Sequence, residues 1–283
     1  MSISATITAP LDATDLEAFA TDGFVLKRAF FTPGQMAALA DVLANDEALR
    51  RRTFGSGDGT GGAVELALWN APGEDAFGAL ARSASMVGAA TQLLGDEVYH
   101  YHSKLNTKRP GGGGTWVWHQ DYGYWYENGC LTPDMLTVAV PLSPMTEANG
   151  AVQLMRGSHH AGRIDHFRVG DQVGADPDRV AALNDRFETV PFEGEPGDVV
   201  FFHCNVLHTS APNSTDRSRE LLLVAYNARR NDPVKAHHHP GYTPIDVVAD
   251  DEVERRAGRY DGEKRTFMAA RQDRTGEKLE RIR

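Results

Sequence analysis

The sequence has little cysteine, no long apolar run and no excess of basic charge. Its 283 residues include two cysteines, Cys130 and Cys204, without the spacing of a metal site, so a reduced, cytoplasmic protein is the simplest expectation. No apolar run approaches the length of a membrane span, and the N-terminus lacks the basic and apolar regions of a secretory signal. The formal net charge of −10 argues against nucleic acid or an anionic membrane as the main partner. Composition therefore predicts a soluble globular protein and leaves its chemistry open.

Sequence pattern divides the chain into three segments of a single predicted domain. Residues 1–97 form a mainly helical N-terminal support, and residues 98–228 carry short β-rich runs separated by turn residues. Residues 229–283 form a polar extension with a predicted helix around Asp250 to Gln272, and the tract His237–Pro240 is interpreted as a surface loop. The prediction is a mainly β protein with flanking helices and a double-stranded β-helix (jelly-roll, cupin-like) core.

An aromatic-rich stretch from Thr115 to Gly129 carries a histidine and an aspartate one residue apart, His119 and Asp121. Residues i and i+2 of a strand project from the same face, so the two side chains would point together. A histidine and a carboxylate on one face are two of the three ligands of a 2-His-1-carboxylate iron site. The same triplet also arises by chance as a polar pair on an exposed strand, although the flanking aromatic residues fit a solvent-exposed face poorly. This stretch alone leaves both interpretations open.

The third ligand has two candidates further along the chain, His203 and His208. His208 stands where a buried strand gives way to a loop, and Arg219 follows eleven residues later in the next predicted strand. A buried arginine needs an anion, and its planar guanidinium group binds a carboxylate through two hydrogen bonds. That anion is either one of the protein's own acids or a bound dicarboxylate.

With these residues in this order, the sequence resembles the phytanoyl-CoA dioxygenase-like family of Fe(II)/2-oxoglutarate-dependent oxygenases, which includes ectoine hydroxylase. The resemblance is carried by WHQD (Trp118–Asp121), NGAVQLMRGSH (Asn149–His159) and the segment Gly197–Arg219, and it extends to about Asn227. The ordered combination of H-x-D, a distal histidine, a serine two residues later and an arginine eleven residues later is specific, whereas no single piece of it is.

The resemblance implies a role for each matching residue. It implies that His119, Asp121 and His208 bind Fe(II), and that Arg219 binds the C5 carboxylate of 2-oxoglutarate. The further implied contacts are with the cosubstrate, by Ser210, Asn106 and Trp116, and with the substrate, by Trp125, His102 and Phe202. His203 is then expected to be a core histidine.

The sequence with this resemblance predicts a 2-oxoglutarate-dependent non-haem iron dioxygenase that uses Fe(II), 2-oxoglutarate and O2. It would hydroxylate an unactivated C–H of a small polar metabolite or natural-product intermediate, with release of succinate and CO2. The carboxylate of Asp121 favours hydroxylation, because related halogenases carry a small residue at that position. Two alternatives stay open: a non-enzymatic jelly-roll protein that binds a metal or ligand, and a cupin-type metalloenzyme that does not use 2-oxoglutarate. The expected partner is a small-molecule substrate, and the expected state is a monomer or homodimer.

Overall fold

The fold is built mainly from short antiparallel strands. A computed structural model describes residues 5–112 and 114–268. The strands in this part of the chain are β1 Phe24–Lys27, β2 Phe54–Gly57, β3 Ala63–Trp69, β4 Val98–Lys108, β5 Trp116–His119, β6 Met135–Pro141, β7 Val152–Met155, β8 His166–Val169, β9 Gln172–Ala175, β10 Thr189–Pro191, β11 Val199–His203, β12 His208–Ser210 and β13 Arg219–Ala228.

Helices lie mainly in the first third of the chain. The α-helices in the described ranges are α1 Ala13–Asp22, α2 Pro33–Asn45, α3 Glu47–Arg51, α4 Ala76–Ala81, α5 Ala84–Leu94, α6 Asp121–Trp125, α7 Pro177–Asn184 and α8 Glu252–Arg255. Capping boxes open α1 at Asp12 and α2 at Thr32, where side chains satisfy the free N–H groups of the first turn. None of the described helices combines the length and apolar character of a membrane span.

Two antiparallel sheets face each other. The main sheet has the strand order β1-β11-β6-β13-β4-β3-β2, the smaller sheet has the order β10-β7-β12-β5, and β8 and β9 form a separate hairpin. All of these pairings are antiparallel. Two facing antiparallel sheets with flanking helices confirm the predicted jelly-roll core.

The main sheet is buried on both faces by two different layers. Val138 of β6 and Leu222 of β13 belong to a core cluster with the N-terminal helices. Their chain neighbours Ala139 and Leu221 belong to a second cluster, which includes Leu154 of the smaller sheet. Neighbouring residues of a strand project to opposite faces, so the helices support the sheet from outside while the other face looks into the barrel. The candidate site lies on that inner face.

The N-terminal segment also contributes strands to the main sheet. Strand β1 pairs with β11, with Phe24 opposite Phe202, and β3 pairs with β4. The helical support and the barrel therefore share one hydrogen-bonded sheet, and the segment boundaries near residues 97 and 228 stay a prediction.

The predicted C-terminal helix is wrong over the described residues. Between Asp250 and Met268 the structure has the short helix α8 and one 3-10 turn at Gly262–Lys264, and the rest of the predicted helix lies outside the described residues. Gly258 adopts a left-handed φ of 75°, which ends a helix. The chain then runs beside β3, where the Met268 N–H donates to the Leu68 carbonyl. Tertiary contacts therefore override the helical composition of this segment.

The tract His237–Pro240 is also not the surface loop that the sequence suggested. The His239 side chain is buried, and its ring centroid lies 4.7 Å from that of His102 in β4. Asn70, directly after β3, donates its side-chain N–H to the His238 carbonyl at 2.6 Å and so fixes the tract against the barrel. A polar run close to the C-terminus gave no sequence signal for this docking.

Candidate metal and cosubstrate site

Three buried side chains from two neighbouring strands and one helix converge inside the barrel. His119 is the last residue of β5, Asp121 is the first residue of α6, and His208 opens β12, where it pairs directly with His119. The imidazole ring centroids of His119 and His208 are 4.0 Å apart, and each Nε2 lies 3.9 Å from Asp121 Oδ1. The ligand atoms of the three residues all lie within 4.8 Å of one another, which is a geometry that could hold a metal ion.

The H-x-D pair converges for a different local reason than the sequence suggested. The strand ends at His119 and the chain turns at once into a helix, so the i and i+2 rule of a strand does not apply. Gln120 fixes this turn from a fully buried position. Its side-chain N–H groups donate to the carbonyls of Gly162 and Asn205, both at 2.8 Å, and its Oε1 accepts from the Ile164 N–H. Sequence reasoning missed Gln120, which lies between the two candidate ligands in WHQD.

Hydrogen bonds to the backbone fix which imidazole nitrogen faces the centre. His119 Nδ1 lies 2.8 Å from the Val117 carbonyl, and His208 Nδ1 lies 3.0 Å from the Val206 carbonyl. A carbonyl only accepts, so each Nδ1 carries the proton and each Nε2 keeps its lone pair. Burial lowers the pKa of His119 well below its ordinary value and lowers that of His208 as well. Both rings are therefore neutral at neutral pH, as metal ligation requires.

The remaining contacts around the group orient it. Thr137 of β6 donates its hydroxyl to Asp121 Oδ2 at 2.5 Å, which leaves Oδ1 facing the two imidazoles. The Trp116 indole N–H donates to His119 Nε2 at 2.9 Å. A metal ion bound at Nε2 would replace that hydrogen bond, so the Trp116 indole lies next to the candidate metal position.

We expect Thr137→Val to weaken Fe(II) binding by about 10- to 100-fold, the usual cost of losing an outer-shell partner of a metal ligand. Valine keeps the volume and removes the hydroxyl that holds Asp121. The measurement is the Fe(II) dissociation constant by anaerobic titration. Thr107→Val is the matched control, because Thr107 lies on β4 and projects from the face of the main sheet opposite to the one that lines the site. Equal affinities in the two variants would mean that Thr137 serves packing alone.

Arg219 is buried without an acidic partner among the residues that the structure describes. Its side chain is 1% exposed, Nη1 donates to Asn106 Oδ1 at 3.2 Å, and Nη2 donates to the Gly150 carbonyl at 2.8 Å. Its Nε has no hydrogen-bond partner within the described ranges. Burial lowers the pKa of Arg219 to about 10, so the group still carries its charge at neutral pH. The acids in the described part of the chain therefore do not supply the anion, which favours a bound one.

A second basic side chain, that of Lys108 of β4, lies close to Arg219. It is fully buried, and its ammonium group donates to the Ser210 carbonyl at 3.0 Å and to the Ala211 carbonyl. Burial and then the charge of Arg219 lower the pKa of Lys108 to about 6. Gly150 makes this packing possible: it has a φ of 81°, and a Cβ there would lie 2.4 Å from the Ala211 carbonyl oxygen. A lysine inside a strand gave no sequence signal for this role.

One cavity joins most of the residues that the sequence singled out. Its lining includes the three candidate ligands and Arg219, together with Asn106, Trp116, Phe202 and Ser210. Trp125 and His102 are not part of this lining; both are buried and contact each other, with ring centroids 5.8 Å apart. His203 lies outside the group, and its Nδ1 accepts from the Asn205 N–H at 3.0 Å.

Comparison with known proteins identifies the family to which the chain belongs. The family described as "Phytanoyl-CoA dioxygenase (PhyH)" matches residues 19–221, which is well over half of the chain. The chain belongs to the phytanoyl-CoA dioxygenase family. The predicted family and enzyme class, a 2-oxoglutarate-dependent non-haem iron dioxygenase, are thereby confirmed.

Proteins of known function and known structure match most of the chain. L-proline trans-4-hydroxylase of Streptomyces griseoviridis is 35% identical over 187 residues, which are 60% of this chain and 68% of that protein. Ectoine dioxygenase of Bordetella parapertussis is 30% identical over 236 residues, which are 78% of this chain and 77% of that protein. The crystal structure of EctD from S. alaskensis in its apoform superimposes with a TM-score of 0.71 at 25% identity and covers 88% of this chain and 92% of EctD. EctD has also been solved with bound Fe, and with 2-oxoglutarate and 5-hydroxyectoine.

Proposed function

We propose that this protein hydroxylates an unactivated C–H of a small polar metabolite or natural-product intermediate, using Fe(II), 2-oxoglutarate and O2 and releasing succinate and CO2. One observation carries the proposal. A single cavity is lined both by the His119, Asp121 and His208 group and by Arg219, a buried cation with no acidic partner among the described residues. The names of two relatives, a proline hydroxylase and an ectoine dioxygenase, support a substrate of small size and high polarity.

The donor set fits Fe(II). Two neutral imidazoles and one carboxylate on one side of a metal ion leave positions open for a bidentate cosubstrate and O2. The carboxylate is buried and lies 3.9 Å from two uncharged rings, so without a cation it has no charge partner at that oxygen. A divalent ion removes this cost by neutralising the carboxylate. His119, Asp121 and His208 would hold the iron.

The cation end of the cavity fits 2-oxoglutarate. Arg219 presents a rigid fork of N–H donors, and its Nε lacks a partner, so a carboxylate satisfies both its charge and its hydrogen-bonding capacity. Ser210 lies two residues after His208 on β12 and lines the same cavity, so its hydroxyl is available to the same carboxylate. Asn106 orients the guanidinium group through the contact at Nη1.

Iron and 2-oxoglutarate, when bound, would supply the oxidative decarboxylation and the oxygen atom that enters the substrate. The chain's own residues bind and orient these groups, and they exclude water from the cavity. Apolar side chains close the cavity between the two ends, namely Val152, Phe202, Leu221 and Leu223. A dry cavity strengthens the charge interactions on which cosubstrate binding depends.

Lys104 supports a substrate that carries an acidic group. It lies on β4 between His102 and Asn106 and lines the cavity, and it stacks over the Trp116 ring at 5.9 Å. Within the described residues no carboxylate forms an ion pair with Lys104. A cation that faces the interior and is only partly exposed is suited to a substrate carboxylate.

The two alternatives account for less of the site. A metal-binding or sensing jelly roll, or a cupin-type enzyme without 2-oxoglutarate, has a use for the three metal ligands. Neither has a use for Arg219 and Ser210 in the same cavity. Burying an unpaired guanidinium group costs free energy, so an interpretation that provides no anion for it is disfavoured.

The proposal is tested by absorption and by product. Anaerobic protein with Fe(II) is expected to develop a visible metal-to-ligand charge-transfer band when 2-oxoglutarate is added, and to release succinate when O2 is admitted. Zn(II) is the matched control, because its filled d shell gives no such band. Iron binding without a 2-oxoglutarate-dependent band would refute the proposal.

A further inference from the structure

The C-terminal segment brings a histidine against the inner face of the barrel. Asn70 holds it there with both ends of its amide: its Nδ2 donates to the His238 carbonyl at 2.6 Å, and its Oδ1 lies 2.8 Å from His239 Nδ1. The Asn70 carbonyl also contacts His100 Nδ1 at 2.9 Å. One asparagine at the end of β3 therefore ties the segment to two strands of the main sheet.

The amide orientation fixes the tautomer of His239. Asn70 Nδ2 is committed as a donor to a carbonyl, so Oδ1 is the acceptor that faces His239. His239 Nδ1 must then carry the proton, which leaves Nε2 with a lone pair. Burial lowers the pKa of His239 well below its ordinary value, in agreement with a neutral ring. His239 is thus prepared to accept one hydrogen bond.

His102 lies beside His239 with an unused nitrogen of its own. The two ring centroids are 4.7 Å apart with an interplanar angle of 30°. His102 is 3% exposed, and its Nδ1 has no hydrogen-bond partner among the residues that the structure describes. A buried polar atom without a partner costs free energy unless a ligand or water satisfies it.

The strand geometry places this histidine pair next to the cavity. His102, Lys104 and Asn106 are alternate residues of β4, so all three project from the face that lines the site. In the register of the main sheet, Ala225 of β13 pairs with both His102 and Thr137. His102 therefore lies about 10 Å from Thr137 across two strand spacings. Thr137 is the residue that holds Asp121.

The spacing along β4 also fits a particular ligand. The Cα atoms of Lys104 and His102 are about 7 Å apart at strand rise. An α-amino acid carries both groups that this part of the strand can bind: a carboxylate that accepts from the Lys104 side chain and an amine N–H that donates to an imidazole nitrogen. The rings of Trp125 and Tyr101 border His102, with centroids 5.8 and 5.4 Å from that of its imidazole, so an amine bound to the histidine pair would lie close to aromatic side chains.

We infer that His239, paired with His102, binds the amine N–H of an amino-acid substrate and so makes the C-terminal segment part of the specificity site. This inference rests on the proposed function and deepens it by naming the substrate class. No metal role is assigned to the histidine tract, because the group of His119, Asp121 and His208 is the one with metal-binding geometry in the described part of the chain.

The test measures ligand preference in the Fe(II) and 2-oxoglutarate complex without O2. The probes are the twenty proteinogenic L-amino acids, and each one that perturbs the visible band is paired with the carboxylic acid that lacks its amine, such as cyclopentanecarboxylate for L-proline. His239→Leu removes the Nε2 acceptor and puts an apolar side chain in place of the imidazole. It is expected to weaken binding of the amino acid by about 10- to 100-fold, while the amine-free acid binds as before.

Further variants separate recognition from folding. Asn70→Leu releases the segment without touching the ligand and is expected to reduce the same preference, even if His239→Leu folds poorly. His160→Leu, an exposed histidine elsewhere, is the control and is expected to bind like the unmodified protein. The 2-oxoglutarate band is expected in all variants.

Each other outcome decides against the inference. An amine preference that survives in both His239→Leu and Asn70→Leu would make the pair a packing contact. Failure of every amino acid to perturb an intact band in the unmodified protein would refute the amino-acid class while leaving the oxygenase function standing. Absence of the band itself would refute the proposed function, and this inference with it.

Discussion

Asp121→Ala is expected to abolish succinate release and to leave the fold intact. The substitution removes the one anionic ligand, and two neutral imidazoles remain to bind a divalent ion. The loss of Fe(II) affinity should exceed the roughly 10- to 100-fold loss expected for Thr137→Val, which removes only a hydrogen bond to a metal ligand. Folding should tolerate it, because Asp121 is a buried carboxylate with a single short hydrogen bond to a hydroxyl. Removing an unpaired buried charge offsets the lost contact.

The measurement combines succinate release with Fe(II) affinity and thermal unfolding. Asp165→Ala, which removes an exposed carboxylate on the nearby loop, is the matched control and should behave like the unmodified protein. A loss of activity accompanied by a large drop in unfolding temperature would assign Asp121 a structural role. Turnover retained in a well-folded Asp121→Ala protein would contradict the ligand assignment.

The candidate ligands could be found from sequence because their spacing is local or ordered. His119 and Asp121 are one residue apart, and His208, Ser210 and Arg219 follow in one short segment, so a pattern along the chain suffices. The reason for their convergence was not in the pattern. The strand stops at His119, and Gln120 holds the turn through contacts to residues more than 40 positions away in sequence. Such long-range contacts have no periodic signature.

The same limit explains the wrong or missing predictions. Lys108 and His239 are polar residues whose type predicts exposure, and both are buried because groups distant in sequence satisfy them: the Ser210 carbonyl accepts from Lys108, and the Asn70 side-chain amide oxygen accepts from His239. In the C-terminal segment, Arg256 and Arg265 form ion pairs with Glu74 and Asp75 of the helical layer, which holds that chain in an irregular path. Helical composition is a weak preference that such contacts overcome.

Arg219→Ala is expected to weaken 2-oxoglutarate binding far more than iron binding. Removing one member of a buried, hydrogen-bonded charge pair costs about 2–5 kcal/mol, which is a change of tens- to thousands-fold in the cosubstrate dissociation constant. Iron affinity should change little, because Arg219 contacts Asn106 and Gly150 and none of the metal ligands. The unliganded protein should unfold at a similar temperature, since relief of an unpaired buried charge offsets the Gly150 carbonyl left without its donor.

Thermal unfolding with and without 2-oxoglutarate separates these effects. The unmodified protein should be stabilised by the cosubstrate through mass action, and Arg219→Ala should lose that increment at the same concentration. Lys108→Met is the matched control, because it removes a buried basic side chain that lies close to Arg219. Lys108 donates to the Ser210 and Ala211 carbonyls, and its pKa of about 6 leaves it largely uncharged at neutral pH, so its removal should weaken 2-oxoglutarate much less. If Arg219→Ala instead weakened iron and 2-oxoglutarate equally, the arginine would be supporting the fold of the site, and the cosubstrate carboxylate would have to bind elsewhere.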